Sequence, residues 1–343
     1  MHKLDRPYQL KTYQNIVESK QNYIVVEAPT GSGKSAYAAQ CGNDSHRTMA
    51  LVRTKSLQEQ YSRSYDFKVV KGKGSYECLH NFVSTCDMCR LDEKEDKDKC
   101  KMSCPYPNAV HALMSSNLAS LNYTKYLTEL RPKGLVESYN SRILFLDEAH
   151  QLSDIVIDWS GCTIPWNDYL SQYIEPEEIV PDLPLGVSYA VDWLGSLAVS
   201  LDENEPHVPR RQPTPEQVKA WRRWDSLKRK VDNTLELVEQ GTDLWYAQSD
   251  EQVGFKLKPL TARFHFKSLF NAPKVVMMSA TIGNHSAFLA ELGIRDNYES
   301  IIVPNVWPGV MRPILDLDVP AMTYKATEDD RREHARVIAN TIN

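Results

Sequence analysis

Two short stretches of this sequence carry residues able to do phosphate chemistry. In Ala28-Pro29-Thr30-Gly31-Ser32-Gly33-Lys34-Ser35, glycines lead into a Lys-Ser pair, which is the P-loop pattern with Ala in place of the first Gly. Glycines are needed there because backbone N–H groups must close around phosphate oxygens with no Cβ in the way. The helix that follows points its positive end at the anion. Lys34 would reach the β/γ-phosphates of a nucleotide, and Ser35 would ligate Mg²⁺. The second stretch is Asp147-Glu148-Ala149-His150. An acidic pair at the carboxyl end of a strand lets one carboxylate, Asp147, hold Mg²⁺ while the next, Glu148, orients and deprotonates the attacking water. Alone, such a tetrad is also a common helix start.

A third chemistry is concentrated in one charged segment. Five of the seven cysteines fall between Cys78 and Cys104, with Cys86 and Cys89 in a CxxC pair and Cys100 between that pair and Cys104. Zinc in a Cys₄ site would use two close pairs, and Cys100 with Cys104 would make the looser of them. A redox CxxC is a second reading, although the segment lacks a βαβ setting. A [4Fe–4S] cluster is a third, because four thiolates converge on such a cluster from loops at irregular spacing. Disulfides are a poor account, since the N-terminus has no secretory signal and a reducing cytosol is the expected compartment, or the nucleus in a eukaryote. Cys41 and Cys162 stand apart and read as small buried hydrophobes.

These residues need strands to hold them. Asn22–Glu27 is a short apolar run entering the P-loop, Ser141–Leu146 another entering Asp147, and Lys274–Met278 a third entering Ser279-Ala280-Thr281. Leu51–Gln60 reads as a strand end turning into a helix, where Arg53, Thr54 and Lys55 either hold phosphates or simply begin a solvated helix. Arg6-Pro7-Tyr8-Gln9 precedes the first strand as a turn before a helix. Between the acidic tetrad and Ser279, residues 153–259 hold six of the seven tryptophans and read as a separate small domain. Within it Thr214-Pro215-Glu216-Gln217 opens a helix by N-cap, proline and capping box, and Gly241 is expected to close it. Val218, Trp221, Trp224, Leu227, Val231, Leu235 and Val238 share one face, so the tryptophans are core before they are stacking platforms. Lys219, Arg222, Arg223, Lys228, Arg229 and Lys230 give the helix a basic side, either solvated or able to track a backbone.

At 343 residues, 42% apolar and 25% charged, the chain has room for more than one packed unit. No apolar run approaches the ~20 residues that span a bilayer. A net charge of -5 does not by itself point to nucleic acid.

Together, the P-loop, the DEAH tetrad and Ser279-Ala280-Thr281 resemble motifs I, II and III of superfamily 2 helicases, with Leu51–Gln60 similar to motif Ia. A cysteine after a Lys-Gly-rich stretch, a CxxC and a last cysteine before Pro-Tyr then resemble the iron–sulfur domain of XPD and DinG helicases. The resemblance implies an α/β fold with a RecA-like parallel-sheet domain in three parts, 1–76, 106–152 and 260–325. It also implies an iron–sulfur insertion at 77–105, a mostly helical Arch-like insertion at 153–259, and the start of a second RecA-like domain or linker at 326–343. It implies ATP, Mg²⁺ and a [4Fe–4S] cluster as cofactors, with Cys78, Cys86, Cys89 and Cys104 as cluster ligands; Cys100 departs from the four-cysteine pattern. Arg6, Tyr8 and Gln9 would sit on the adenine side, with Thr30, Gly31, Ser32, Gly33, Lys34 and Ser35 around the phosphates. His150 would couple to Ser279 and Thr281, and Arg53, Thr54 and Lys55 would face nucleic acid. The implied activity is an ATP-dependent, 5′-to-3′ DNA helicase acting on single-stranded or forked DNA, with no membrane partner. No Gln-x-x-Gly-Arg-like motif follows Thr281, and Ala335, Ile338 and Ile342 share one face of a final helix. The expectation is therefore a motor half that binds nucleotide better than it hydrolyses it. The competing class is a catalytically incomplete nucleic-acid-binding module with a structural zinc or iron–sulfur site.

Overall fold

The computed structural model describes residues 4, 6–44, 46–79, 85–88, 103–166, 170, 173, 184–209, 214–239, 244–250, 254–305 and 327–342. Cys89, Cys100, Gly241 and the expected boundary at 325/326 lie outside them. Residues 1–304 and 305–343 are two separate units.

The first unit is built on a seven-stranded sheet in the order β11-β1-β10-β5-β2-β4-β3, paired in parallel throughout. Its strands are β1 (Tyr23–Glu27), β2 (Thr48–Val52), β3 (Lys68–Val69), β4 (Leu118–Asn122), β5 (Ile143–Asp147), β10 (Lys274–Ser279) and β11 (Tyr298–Ile302). The apolar runs are buried on both faces, as parallel strands covered by crossover helices must be. Odd and even positions serve different layers. Val25, Leu51, Leu144, Leu146, Val275 and Met277 pack on one side with Tyr126, Tyr139, Phe266 and Phe270. Ile24, Val26, Ala50, Val52, Phe145 and Met278 pack on the other with Ile16, Tyr37, Tyr61 and Phe67. Each large side chain buried in these layers contributes roughly 1.5–3 kcal/mol.

Helices α1 (Pro7–Glu18), α2 (Lys34–Asn43) and α3 (Lys55–Tyr65) cover the second layer. The other face receives α4 (Pro105–Met114), a helical turn (Tyr123–Lys125) running into a π-helix (Tyr126–Leu130), α5 (Leu135–Tyr139) and α6 (Leu152–Ser160). The short helices α9 (Phe266–Leu269) and α10 (His285–Glu291) also lie there.

Between α6 and α9 the chain builds a second core. An antiparallel sheet in the order β6-β9-β8-β7 (Cys162–Ile164, Gly254–Pro259, Trp245–Asp250, Pro184–Leu185) supports α7 (Val187–Glu203) and α8 (Pro215–Val238). The sheet is an addition to the helical insert expected from sequence. Trp193, 7% exposed, stacks on Phe255 with centroids 4.3 Å apart, Trp166 meets Trp193 edge-on, and Trp245 is buried in the same core. The α8 capping box forms as read: Thr214 Oγ1 accepts from Gln217 N at 3.3 Å, and Gln217 Oε1 accepts from Thr214 N at 2.9 Å.

The basic side of α8 is largely spoken for. Lys228 pairs with Asp202 and Asp232, Arg229 with Asp225, Arg222 with Asp87, and Lys230 donates to Thr163 O. Intramolecular ion pairs therefore take three of the six basic side chains, Arg222, Lys228 and Arg229. The Arg222–Asp87 pair, at 2.6 Å, ties α8 to the cysteine segment.

In the second unit α11 (Glu328–Ile342) begins at Thr327, whose Oγ1 accepts from Asp330 N at 3.2 Å. No helix among the described residues is long and apolar enough to cross a membrane.

Candidate nucleotide site and cysteine segment

The sheet order decides what meets at its carboxyl edge. β10 lies between β1 and β5, so Ser279 ends its strand between the P-loop and the acidic tetrad. Ala28 N donates to Ser279 O at 2.9 Å, which extends the β1–β10 ladder into the first residue of the loop.

Gly31 (φ 81°) and Gly33 (φ 95°) take left-handed conformations that side chains resist. A Cβ at Gly33 would also lie 2.4 Å from Gln9 Nε2. Gln9 in turn donates to Ser32 O at 2.8 Å, which fixes the Arg6–Gln9 segment against the loop, and Arg6 Nη1 donates to Tyr8 OH at 2.8 Å. Thr30 and Gly31 are exposed, and Lys34 and Ser35 half-buried, at the start of α2. Lys34 Nζ donates to Ala28 O at 3.0 Å, so the ammonium lies back over the loop. Ser32 is fully buried: its N donates to Pro29 O at 3.1 Å and its O accepts from Gln9 Nε2.

Asp147 closes β5 with 5% exposure. Tyr61 OH donates to its Oδ2 at 3.0 Å and Glu148 N to its Oδ1 at 3.0 Å, while Tyr123 OH donates to its backbone oxygen at 2.8 Å. Burial nevertheless pushes its pKa up, against the Tyr61 and Glu148 N hydrogen bonds and the attraction of Lys34. A carboxylate held buried under that penalty is a hard-oxygen donor of the kind a Mg²⁺ ion suits. Tyr61 was marked by no motif; it acts through tertiary contact from α3, as Tyr123 does from the segment after β4.

Glu148 has φ 55°, a left-handed kink that turns the chain from β5 into the next helical turn. Its Oε2 stands 3.5 Å from His150 Nδ1, and the same nitrogen is 2.8 Å from Ser279 Oγ. His150 thus reaches Ser279 but not both hydroxyls. Thr281 lies past the end of β10 and is exposed.

Arg53, Thr54 and Lys55 are exposed at the carboxyl end of β2. Arg53 bonds Gln151 Oε1, and Thr54 caps α3 by accepting from Leu57 N at 3.2 Å. Thr54 therefore has the helix-starting role that its sequence also allowed.

In the cysteine segment, an antiparallel bridge joins Glu77 to Thr85, and Cys86 Sγ is 3.4 Å from Cys104 Sγ. Burial and the adjacent Cys104 thiol push the Cys86 pKa up to about 12. Among the described residues no set of three metal-binding side chains converges, with Cys89 outside them. The segment is anchored below by Tyr106, whose hydroxyl bonds Glu129 and accepts from Lys125 Nζ at 3.0 Å. Cys41 and Cys162 are fully buried away from it.

Residues 2–164 match the family model described as "Type III restriction enzyme, res subunit". Comparison with curated proteins returns no match. Among solved structures, an XPD helicase is matched over 99% of this chain and 70% of its own, at 16% identity and TM-score 0.53. An apo XPD structure is matched over 85% of this chain and 57% of its own (15% identity, TM-score 0.49), and S. tokodaii Xpd4 over 88% and 61% (13% identity, TM-score 0.46). The chain spans 57–70% of the length of these three relatives.

Proposed function

We propose that this chain, which has the fold of the XPD helicase it matches, is the nucleotide-binding part of an ATP-dependent motor that translocates on single-stranded DNA and unwinds duplex, 5′-to-3′. The observation that carries the reading is the meeting of three strand ends, the P-loop after β1, Asp147-Glu148 after β5 and Ser279 after β10, at one edge of a parallel sheet. In open α/β sheets that edge is where ligands bind.

Each residue's task follows from phosphoryl-transfer chemistry. The loop N–H groups and Lys34 take the phosphates, with Gln9 and Tyr8 beside them toward the base. Ser35 and Asp147 would hold Mg²⁺, which would supply charge against the β/γ oxygens. Glu148 orients the water and accepts its proton. His150 relays the state of that carboxylate to β10, and Arg53 and Lys55 offer charge to a nucleic-acid backbone at the same edge. A second RecA-like domain would close the other side of the cleft.

In the cysteine segment, Cys78, Cys86, Cys89 and Cys104 would hold a [4Fe–4S] cluster, as a structural element beside the motor. The 3.4 Å approach of Cys86 to Cys104 supports convergence of the thiols. It also keeps zinc as the second reading, since a tetrahedron with Zn–S of about 2.3 Å has an edge of roughly 3.8 Å.

Glu148→Gln tests the motor. Mg–ATP affinity should be retained while hydrolysis falls by ~10²-fold or more, the loss expected of a removed general base. Undiminished ATP-dependent function in that variant would instead identify a binding module that uses nucleotide only structurally.

A further inference from the structure

One acidic side chain near this site has no role in the chemistry above. Glu27, the last residue of β1, immediately precedes the P-loop. Its Oε2 alone accepts three hydrogen bonds: from Ile282 N at 2.9 Å, Gly283 N at 3.2 Å and His285 Nε2 at 3.1 Å. All three donors lie in the segment that follows Ser279: Ile282 and Gly283 in the loop, and His285 at the first position of α10. Gly283 has φ 76°, a turn that lets consecutive amides aim at one anion. The His285 ring is 11% exposed, so it is held rather than free to swing. Burial raises the Glu27 pKa, but the three donors outweigh it and keep the carboxyl below its ordinary value, hence charged.

The contact completes a circuit. The P-loop strand grips the post-β10 loop through Glu27, and Ala28 N holds Ser279 O. Ser279 Oγ holds His150, which stands 3.5 Å from Glu148. We infer that Glu27 is a positioning residue for hydrolysis: it clamps the Ser279–His285 loop to the phosphate-binding strand, and so fixes the Ser279–His150 contact that orients Glu148. The inference rests on the motor reading above. It predicts a defect in the chemical step rather than in nucleotide affinity, because Glu27 faces the loop and not the phosphate cradle.

The test compares the whole chain with its Glu27→Ala, Glu27→Gln, His285→Ala, His150→Ala and Glu27→Ala/His150→Ala variants. Three readouts are needed: Mg–ATP affinity, single-turnover hydrolysis at saturating ATP, and amide exchange at Ile282 and Gly283. Glu27→Ala should leave affinity within ~3-fold, slow hydrolysis by ~10-fold or more, and speed exchange at both amides. Glu27→Gln keeps one acceptor oxygen for those amides and should recover most of the rate. His285→Ala should fall between the two. The double variant should be no more than ~2-fold slower than His150→Ala, because both residues act through one path. Unchanged hydrolysis in Glu27→Ala, rate losses that multiply in the double variant, or a loss confined to affinity would each overturn the inference. If Glu27→Ala does not fold, Glu27→Gln and His285→Ala decide it by the same readouts. A wild-type chain that fails to bind Mg–ATP would overturn the motor reading and this role with it. Unchanged exchange at Ile282 and Gly283 in Glu27→Ala would by itself remove the clamp.

Discussion

His150 Nδ1 and Ser279 Oγ, 129 positions apart in sequence, lie 2.8 Å from one another at the ends of neighbouring strands. The contact joins the residue two positions after the carboxylate pair to the strand that separates that pair from the P-loop. Ser279→Ala should leave Mg–ATP affinity within ~3-fold and cut hydrolysis by ~10-fold, with His150→Ala at least as severe because it also removes the contact with Glu148. Steady-state rates and titrations with a fluorescent ATP analogue separate the two effects. An equal loss in affinity would show that the pair supports binding instead.

Asp147 has a different balance of stability and function. Its raised pKa means the folded state prefers the protonated form, so its contribution to stability is fully present below the unfolded-state pKa and is lost as pH rises through the folded value. At neutral pH the ionised side chain therefore costs stability. Asp147→Asn, which keeps shape and most hydrogen bonding, should raise Tm by a few degrees, since ~1 kcal/mol corresponds to roughly 2–4 °C in a domain of this size. The same variant should lose Mg²⁺-dependent hydrolysis, and a lower Tm would show that the charge is already compensated within the protein.

Lys125 and Glu129 form a buried pair under the cysteine segment, 5% and 17% exposed. Burial lowers the Lys125 pKa below the usual lysine value. It would raise that of Glu129, but bonds from Lys125 and Tyr106 prevail and hold that carboxyl at about 2. The stability this carboxylate supplies is present above its unfolded-state pKa and disappears as pH falls toward 2. Glu129→Gln, leaving a buried ammonium unpaired, should cost about 3–5 kcal/mol near neutrality and flatten the acid limb of the unfolding curve. Denaturant titrations from pH 7 down to pH 2 measure both.

Metal analysis of anaerobically purified protein decides between the two thiolate readings. About four irons per chain with absorbance near ~400 nm are expected for the cluster, and stoichiometric zinc without iron would replace it. Cys86→Ser should abolish the iron signal, since its sulfur is the one seen beside Cys104.

The candidate nucleotide site was legible because its residues are local signals attached to strands. Glycines before Lys34, and carboxylates after an apolar run, report backbone chemistry that must sit at strand ends. The roles of Tyr61 and Glu27 were not legible, because each acts on a partner brought by the sheet rather than by the chain. Glu27 meets Ile282 across 255 positions. In the insert, β8 alternates buried Trp245, Ala247 and Ser249 with exposed Tyr246 and Gln248, but the six-residue run is short and polar enough to pass for a connector. The basic side of α8 read as either solvated or able to track a backbone, because its acidic partners do not show when charge is counted on one edge of the helix. Its partners Asp225 and Asp232 lie one helical turn from Arg229 and Lys228 on the same helix, while Asp87 and Asp202 come from elsewhere.

The place of β1 in the sheet bears on how the protein is made. Its two neighbours, β10 and β11, leave the ribosome some 250 residues after it, and β10 alone separates it from β5. A nascent chain that has just exposed its P-loop and acidic tetrad therefore has both halves of the site but not the strand that sets their spacing. Pairings of such long sequence separation form slowly and leave strand edges open meanwhile. The candidate site at this sheet edge is accordingly a late product of translation, and the early chain, with β1 unpaired on both sides, is where chaperone protection would matter most.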